Sequence, residues 1–401
     1  MANEFEYGRN SAYFNWITED EAQESQNARD VLLEELKKLG VQFGFSGSKA
    51  DMRYLSKGCR LCGEGRWSCL FINGLCNASC FYCPSRQDDA AIKPTTNTLE
   101  FDTPQKYAQY VNFFGFKGVS FSGGEPFLTF DRTLNYLKEV RKQCSSDIYV
   151  WLYTNGSLVK EDQLKMLNDA GLNEIRFDIG AFGYSLEKAE TAAKYIDTVT
   201  VEIPMAPDHF QTVKDLVLPM KNAGIKHLNL HQLRATPFNV HKMMERDYKF
   251  VHGTKVTVFE SERLALEVML DSLKNNGVPV NYCSFLFKSG FQSSAARKRY
   301  AALCVLDNEF ITQNGYVRNI SQDGALFTIT YFNPVASGAD FTKVERKRIA
   351  VFKTDQNPEK MLGEIAEGGI IPSTSTAGFS QKELIDIFNL EILHGGFAEY
   401  F

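Results

Sequence analysis

The chain has 401 residues, of which 44% are hydrophobic and 23% are charged, so a packed globular protein is expected. Its formal net charge of −5 argues against a large nucleic-acid-binding surface. No apolar run of about 18 residues is present, and the first residues lack a basic-then-apolar signal pattern. We therefore expect a cytoplasmic protein without a membrane span.

The first predicted element is a helix over residues 18–40. Thr18 and Glu21 have the spacing of a capping box, which satisfies free backbone N–H groups at the start of a helix. The next segment, residues 41–66, is glycine-rich and is expected to be irregular. It contains two of the nine cysteines.

Short apolar runs then alternate with helical patterns. Strands are predicted at 69–73, 118–122, 147–154, 174–180, 198–204 and 226–233. The helices between them are predicted at 103–114, 130–143, 160–170, 185–195 and 209–223. This alternation indicates parallel βαβ units, and six of them predict an α/β fold with a partial (β/α)6 TIM-like barrel. Chemistry is expected at the carboxyl ends of its strands.

The rest of the chain breaks this rhythm. An insertion is predicted near 234–259, followed by helices near 260–276 and 291–303 that flank a strand at 278–283. Two strands and two helices, the helices at 358–366 and 380–393, predict a small α+β module at the end. The predicted domains are an N-terminal extension over 1–66, a core over 67–305 and a C-terminal accessory module over 306–401.

Six of the nine cysteines lie within residues 59–83, a clustering that indicates metal or redox chemistry in a cytosolic protein. Cys76, Cys80 and Cys83 form a C-x3-C-x2-C loop directly after the first predicted strand. Three thiolates can bind three irons of a [4Fe–4S] cluster. Because iron–sulfur sites are usually completed by a fourth thiolate, the fourth iron is left open for another ligand.

This loop resembles the signature of the radical S-adenosylmethionine (SAM) superfamily, which has an aromatic residue, here Tyr82, before the last cysteine. The resemblance implies that the open iron binds the amino and carboxylate groups of SAM. It also implies reductive cleavage of SAM to methionine and a 5′-deoxyadenosyl radical that abstracts hydrogen from a substrate. Tyr82 is expected to lie by the adenine through its backbone. An electron donor such as flavodoxin or ferredoxin is implied as a partner.

A second motif strengthens the resemblance. Gly123, Gly124, Glu125 and Pro126 follow the second strand and match the family's SAM-amino motif, which implies that Glu125 lies close to the methionine ammonium. The two glycines are expected to let backbone approach a ligand closely.

Polar residues on the later strands are further candidates for SAM binding. Thr154 and Asn155 end the third strand, where the family commonly binds the SAM carboxylate or ribose. Arg176 and Glu202 lie on the fourth and fifth strands. Arg176 and Asp178 share one face of the fourth strand, as Asn229 and His231 do on the sixth. That face borders either the cavity or the helix layer.

Among subgroups, the chain resembles proteins related to pyruvate formate-lyase activating enzymes. More narrowly, it resembles a largely uncharacterised group that shares the upstream "YLSKGC-x-x-C" and the downstream "YCSFLFKSGFQ" motifs.

The remaining cysteines predict a second metal centre. Cys59 and Cys62 have the C-x2-C-G spacing of a metal knuckle, which supplies half of a site. Cys283, in the downstream motif, is the best candidate for a further ligand. A second [4Fe–4S] cluster is favoured, with Cys69 or Cys304 on its fourth iron or that iron left open. A mononuclear Zn or Fe site is the alternative.

These patterns predict a radical SAM enzyme that acts on a peptide or a small biosynthetic substrate. A non-catalytic iron–sulfur redox sensor is one alternative, although a sensor has no need of the SAM-amino motif. An RNA-modifying radical SAM enzyme is another, and it would require a basic groove that the net charge does not suggest.

Overall fold

The computed structural model describes residues 14–86, 88–89, 92–251, 255–324, 326–336, 338 and 340–354. These residues divide into two compact units. The core unit holds residues 14–96 and 100–287. The C-terminal unit holds residues 97–99 and the described residues from 288 onward. The three-part division predicted from the sequence stays a prediction.

The core unit is built on a sheet of seven parallel strands that lie side by side in chain order. The strands are β1 Trp67–Phe71, β2 Gly118–Ser122, β3 Tyr149–Thr154, β4 Glu174–Phe177, β5 Thr198–Pro204, β6 His227–His231 and β7 Val280–Cys283. The α/β class is confirmed. The strand predicted at 278–283 is observed as β7, a seventh parallel strand next to β6. At the opposite edge of the parallel strands, Thr95–Thr96 pairs antiparallel with β1.

The helices that connect these strands lie where the sequence predicts them, within a few residues, except for the short helix Val240–Met244, which falls in the segment predicted as an insertion. They are α3 Pro104–Phe113, α4 Phe130–Gln143, α5 Glu161–Asp169, α6 Glu187–Ala192, α7 Phe210–Asn222, α8 Val240–Met244 and α9 Glu260–Lys274. Apolar faces of these helices cover the sheet, and most strand residues are buried, although Phe71 at the end of β1 is exposed. Burial of both faces is typical of parallel strands, and the apolar residues here are interrupted by buried polar ones such as Ser120 and Thr200.

Within the described residues, two α-helices precede the sheet, with the 3-10 turn Met52–Tyr54 between them. Helix α1, Glu19–Lys38, is capped by Thr18, whose hydroxyl accepts from Glu21 N while the Glu21 carboxylate accepts from Thr18 N, so the predicted capping box is confirmed. Helix α2, Lys57–Gly63, was not predicted, because its seven residues include two glycines. The Ser56 hydroxyl caps α2 by accepting from Cys59 N.

The segment predicted as an insertion contains α8 and a short hairpin formed by Phe250–Val251 and Thr257–Val258. Its apolar side chains form one buried cluster with Phe14 and Tyr82. This segment therefore packs against the cysteine loop.

The C-terminal unit contains helix α10, Ser294–Cys304, and a four-stranded antiparallel sheet. Its strands, in spatial order, are β8 Glu309–Ile311, β9 Val317–Asp323, β10 Leu326–Ala336 and β11 Val344–Thr354. Both predicted strands of the tail are confirmed, and the helices predicted at 358–366 and 380–393 lie outside the described residues. Within the described part of the chain, no helix is both long and apolar enough to cross a bilayer.

Candidate active site

The three-cysteine loop lies just beyond the carboxyl end of β1. Cys76, Cys80 and Cys83 are all partly exposed free thiols, and Cys83 N donates to Cys80 O at 3.2 Å. Two N–H groups point at the Cys76 sulfur, from Ala78 N at 3.4 Å and from Asn155 Nδ2 at 3.7 Å. Burial raises the pKa of Cys76, and it raises the pKa of Cys80 to about 12.

These residues fit an iron–sulfur cluster better than a single ion. Within the described residues, no three His, Cys, Asp or Glu side chains converge closely enough to hold one metal ion. In a cluster, each thiolate binds a different iron, so the sulfurs stand farther apart. N–H donors aimed at a ligand sulfur are the kind of surrounding group that tunes a metal centre. The donor set around Cys76 therefore suits a cluster.

The two glycines of the Gly123–Pro126 motif make close contacts with protein backbone. Gly124 N donates to Asn73 O at 3.0 Å, and Glu125 N donates to Leu75 O at 2.6 Å. A Cβ on Gly124 would lie 1.8 Å from the Leu75 carbonyl oxygen, and Gly123 has a φ of +129°. The motif is thus joined to the segment that leads into Cys76. The sequence predicts that these glycines make room for a ligand, and the structure adds this packing role.

We predict that Gly124→Ala destabilises the core unit by about 3 kcal/mol or more, because the clash is with backbone that cannot rotate away. Gly115→Ala is the matched control. Unlike Gly124, Gly115 has a positive φ, of +63°, and its Cβ would meet no atom within 4 Å. The control should cost only about 1–2 kcal/mol for the left-handed backbone. Urea unfolding followed by circular dichroism measures both losses, and equal losses would contradict the packing argument.

The Glu125 carboxylate is 1% exposed and links the motif to the end of β3. Its Oε1 accepts from Phe127 N at 3.0 Å and from the Thr154 hydroxyl at 2.8 Å, and its Oε2 accepts from Asn155 N at 2.7 Å. Burial raises the pKa of Glu125, and these bonds oppose the shift. Since a carboxylate has about four acceptor positions, one remains for a further donor.

Tyr82 is held on both its side chain and its backbone. Its hydroxyl donates to Asp178 Oδ1 at 2.8 Å, and its carbonyl accepts from Asn239 Nδ2 at 3.1 Å. Burial raises the pKa of Asp178 to about 6, although the Tyr82 hydroxyl works against this shift. Asn239 was missed in the sequence because it lies in the segment that looks like an insertion.

Arg176 and Glu202 lie in a buried ion-pair network on the side of the sheet where α2 packs. The Arg176 guanidinium donates to Glu174 Oε1 at 2.8 Å, to Glu202 Oε2 at 2.7 Å and to the Ser56 hydroxyl at 3.2 Å. His231 Nε2 lies 2.8 Å from Glu202 Oε1. Although burial opposes it, Arg176 and then His231 hold the pKa of Glu202 well below its usual range.

Of the cysteines predicted to bind a second metal, three lie together and Cys304 lies in the C-terminal unit. Cys59, Cys62 and Cys283 come together on the same side of the sheet as this network, because Asn281 Nδ2 lies 3.7 Å from the sulfurs of both Cys59 and Cys283. Burial raises the pKa of Cys62, and nearby Cys283 and Cys59 raise it further. Cys304 ends α10 in the C-terminal unit, where its carbonyl accepts from Arg346 Nη1 at 3.3 Å.

Two further side chains lie beside Cys283 and are not among the site residues predicted from the sequence. Lys49 Nζ lies 2.6 Å from the Cys283 sulfur, although a lysine in a polar, glycine-rich segment usually indicates surface. Asn281 lies two residues before Cys283 on β7. The two-residue periodicity of a strand could have placed it on the same face.

Comparison with known proteins identifies the core. Residues 70–189 match the model of the Radical SAM superfamily. A Methanocaldococcus jannaschii protein named as a glycyl-radical enzyme activating enzyme is 28% identical over 274 residues, which cover 65% of this chain and 72% of that protein. A GTP 3′,8-cyclase of Staphylococcus saprophyticus is 34% identical over 115 residues, which cover 28% of this chain and 33% of the cyclase.

Among solved structures, Streptococcus suis SuiB bound to its precursor peptide SuiA matches with a TM-score of 0.42 and 15% identity. The match covers 73% of this chain and 63% of that one, so the chain spans less than two thirds of SuiB. The family match begins at the end of β1 and includes the cysteine loop, the Gly123–Pro126 motif and the end of β3. Radical SAM proteins use a [4Fe–4S] cluster and SAM, and residues 70–189 of this α/β enzyme match that superfamily.

Proposed function

We propose that Cys76, Cys80 and Cys83 hold the [4Fe–4S] cluster and that the chain uses it to act on a peptide or a small biosynthetic substrate. The observation that carries this proposal is the position of the loop. It follows β1, it has N–H donors aimed at the Cys76 sulfur, and it is joined by backbone hydrogen bonds to the Glu125 segment. A reduced cluster bound there would supply one electron to SAM, which would cleave to methionine and a 5′-deoxyadenosyl radical that would abstract hydrogen from the substrate.

Glu125 is proposed to bind the ammonium of SAM. Its carboxylate is held in one orientation by three donors, two at the end of β3 and one from Phe127 N just after the motif, and it keeps one acceptor position. Thr154 and Asn155 support this group, since the Thr154 hydroxyl and Asn155 N both donate to it. Asn155 also connects the Cys76 sulfur with Asn77, whose Oδ1 accepts from Asn155 Nδ2 at 2.8 Å.

Tyr82 is proposed to border the adenine through its backbone. The bonds to Asp178 and Asn239 fix both ends of the residue, so its position beside Cys83 is determined by two separate parts of the chain. Arg176 and Glu202 were also predicted to bind SAM. Their charged groups are engaged with each other and with neighbouring side chains, which favours a supporting role below the SAM site.

A polypeptide is the favoured substrate class. The relative named as a glycyl-radical enzyme activating enzyme supports this choice, because a polypeptide carries the glycine that such a name implies. A small biosynthetic molecule is the other class. An external one-electron donor such as flavodoxin or ferredoxin is proposed to reduce the cluster.

We predict that the anaerobically reconstituted protein releases 5′-deoxyadenosine from SAM under reducing conditions.

We also predict that Glu125→Gln weakens SAM binding about 10- to 150-fold. This variant loses a charge-assisted hydrogen bond to the SAM ammonium, worth roughly 1.5–3 kcal/mol. Equilibrium binding of SAM, with iron content measured in parallel, checks this. The iron content should not change, because Glu125 contacts no cysteine sulfur.

The control is Asp131→Asn, which removes an exposed carboxylate in the first turn of α4. It should leave both SAM affinity and iron content unchanged. Parent-like SAM affinity in Glu125→Gln would refute the ammonium role. Absence of 5′-deoxyadenosine from the parent protein, with the cluster present and reduced, would refute the proposed reaction.

A further inference from the structure

Lys49 is a buried cation beside three thiols. The residue is 1% exposed, and its ammonium contacts the Cys283 sulfur at 2.6 Å and the face of the Phe287 ring at 4.2 Å. Among the described residues, no carboxylate forms an ion pair with Lys49. A buried ammonium without a negative partner is costly to the fold. The charge that balances Lys49 must therefore come from the sulfurs or from something bound to them.

Amide groups surround the same sulfurs. Asn229 Nδ2 lies 3.3 Å from the Cys59 sulfur, and Asn281 Nδ2 lies 3.7 Å from both Cys59 and Cys283. The Asn281 Oδ1 atom is buried and has no hydrogen-bond partner, in a structure where most buried polar atoms are paired. A set of N–H donors that converge on sulfur is typical of thiolate-bound metal.

The supporting backbone brings the three cysteines together from opposite parts of the chain. Cys59 and Cys62 are three residues apart on α2 and so share a helix face. Cys283 ends β7, where it pairs in register with His231 of β6. Gly58 allows α2 to lie directly on the ion-pair network, because a Cβ there would come within 2.3 Å of the Arg176 guanidinium.

The spacing favours a cluster over one ion. Sulfurs that share a tetrahedral zinc lie roughly 3.8 Å apart, as follows from a Zn–S bond of about 2.3 Å. No trio of potential ligands in the described part of the chain, this one included, is close enough to hold a single ion. An iron–sulfur cluster places a different iron on each thiolate and tolerates the wider spacing.

We propose that Cys59, Cys62 and Cys283 bind a second iron–sulfur cluster, and that Lys49, Asn229 and Asn281 donate hydrogen bonds to its sulfurs. Three cysteines leave one iron of a four-iron cluster without a cysteine ligand. Cys69 is not required in this assignment, and Cys304 takes no part in it. This proposal does not depend on SAM cleavage, because the second cluster is bound by different residues.

Metal analysis of the Cys76/Cys80/Cys83 triple-Ala protein tests the site. About four irons with matching sulfide are expected to remain after anaerobic reconstitution, and adding Cys283→Ala should remove them. Adding Cys69→Ala instead should leave them in place. One zinc or one iron without sulfide would overturn the cluster assignment, as would the absence of residual metal. Loss of the irons in the Cys69→Ala protein would overturn the three-cysteine assignment.

Lys49→Met provides a test that does not rely on removing a ligand. Removal of a positive charge and a hydrogen bond next to a cluster favours its oxidised form, so the midpoint potential should become more negative. Lys57→Met is the matched control. It removes the same charge from an exposed position on α2, two residues from Cys59, and should leave the potential nearly unchanged.

Equal potentials in the triple-Ala protein with and without Lys49→Met would contradict the hydrogen bond to the cluster. Both measurements use the triple-Ala background, where the first cluster is absent. Failure of SAM cleavage in the parent protein would therefore leave this result unaffected. Failure of the second cluster would likewise leave the assignment of the first intact.

Discussion

Replacing Cys76, Cys80 and Cys83 together by Ala is expected to abolish release of 5′-deoxyadenosine and to lower the bound iron by about four atoms per chain. The three thiolates are the only protein ligands proposed for the SAM-binding cluster, so the cluster should be lost with them. Without the cluster, SAM has no reductant at that site. Liquid chromatography of the nucleoside products, together with iron and sulfide analysis, measures both effects. We expect the activity to fall below detection.

The control for this triple variant is Cys144→Ala. Cys144 is a partly exposed thiol at the end of α4, and its sulfur donates weakly to Ala108 O at 3.7 Å. Its removal should leave iron content and SAM cleavage at the level of the parent. Continued release of 5′-deoxyadenosine by the triple variant would show that the cluster is held elsewhere.

Arg176→Met is expected to destabilise the core unit by about 3–5 kcal/mol. The substitution keeps the length of the side chain but leaves the carboxylates of Glu174 and Glu202 buried without their cation, which is the costly way to break a buried ion pair. Urea unfolding measures the loss. Arg66→Met is the control, since Arg66 is exposed and its 3.5 Å contact with Glu64 is worth roughly 0–1 kcal/mol.

The acid side of the stability profile gives a second measurement of the same network. Because the pKa of Glu202 is lower in the folded protein than its unfolded value of about 4.3, this carboxylate stabilises the fold above that pH. The contribution is lost as the pH falls through the unfolded value toward the folded one. In Arg176→Met the main opposite charge is gone, so this loss should shrink. An unchanged acid profile would contradict the role of Arg176.

The sequence predicted the fold well where one physical signal dominated. The strands at 118–122 and 198–204 match the observed bounds, because short segments rich in apolar and β-branched residues between polar turns are typical of buried strands. The start of α1 is correct because its cap is encoded within four residues. Helix α2 is not predicted, because glycine disfavours helix and α2 contains two glycines. The structure shows that both glycines allow close packing, Gly58 against Arg176 and Gly63 against Phe45.

Only part of the candidate site could be predicted from the sequence. The cysteine loop and Glu125 could be recognised because their spacing is local. Lys49, Asn239 and Asn281 could not, because each becomes informative only when a distant element is packed against it. The faces of Arg176 and Glu202 were also undecided in the sequence. The structure shows that both lie on the side occupied by α2, where Ser56 contacts the Arg176 guanidinium.

The position of α2 has a consequence for the order in which the core assembles. Strands β1 to β7 lie side by side in chain order, so each can dock on its predecessor as the chain is synthesised. Helix α2 is made before all of them, yet its Cys59 contacts Asn229 and Asn281 on the last two strands. Contacts across such long sequence separation form late, because they close a large loop. The contacts of Cys59 with β6 and β7 can therefore form only after the seventh strand has emerged from the ribosome, later than the contacts of α2 with β2 and β3.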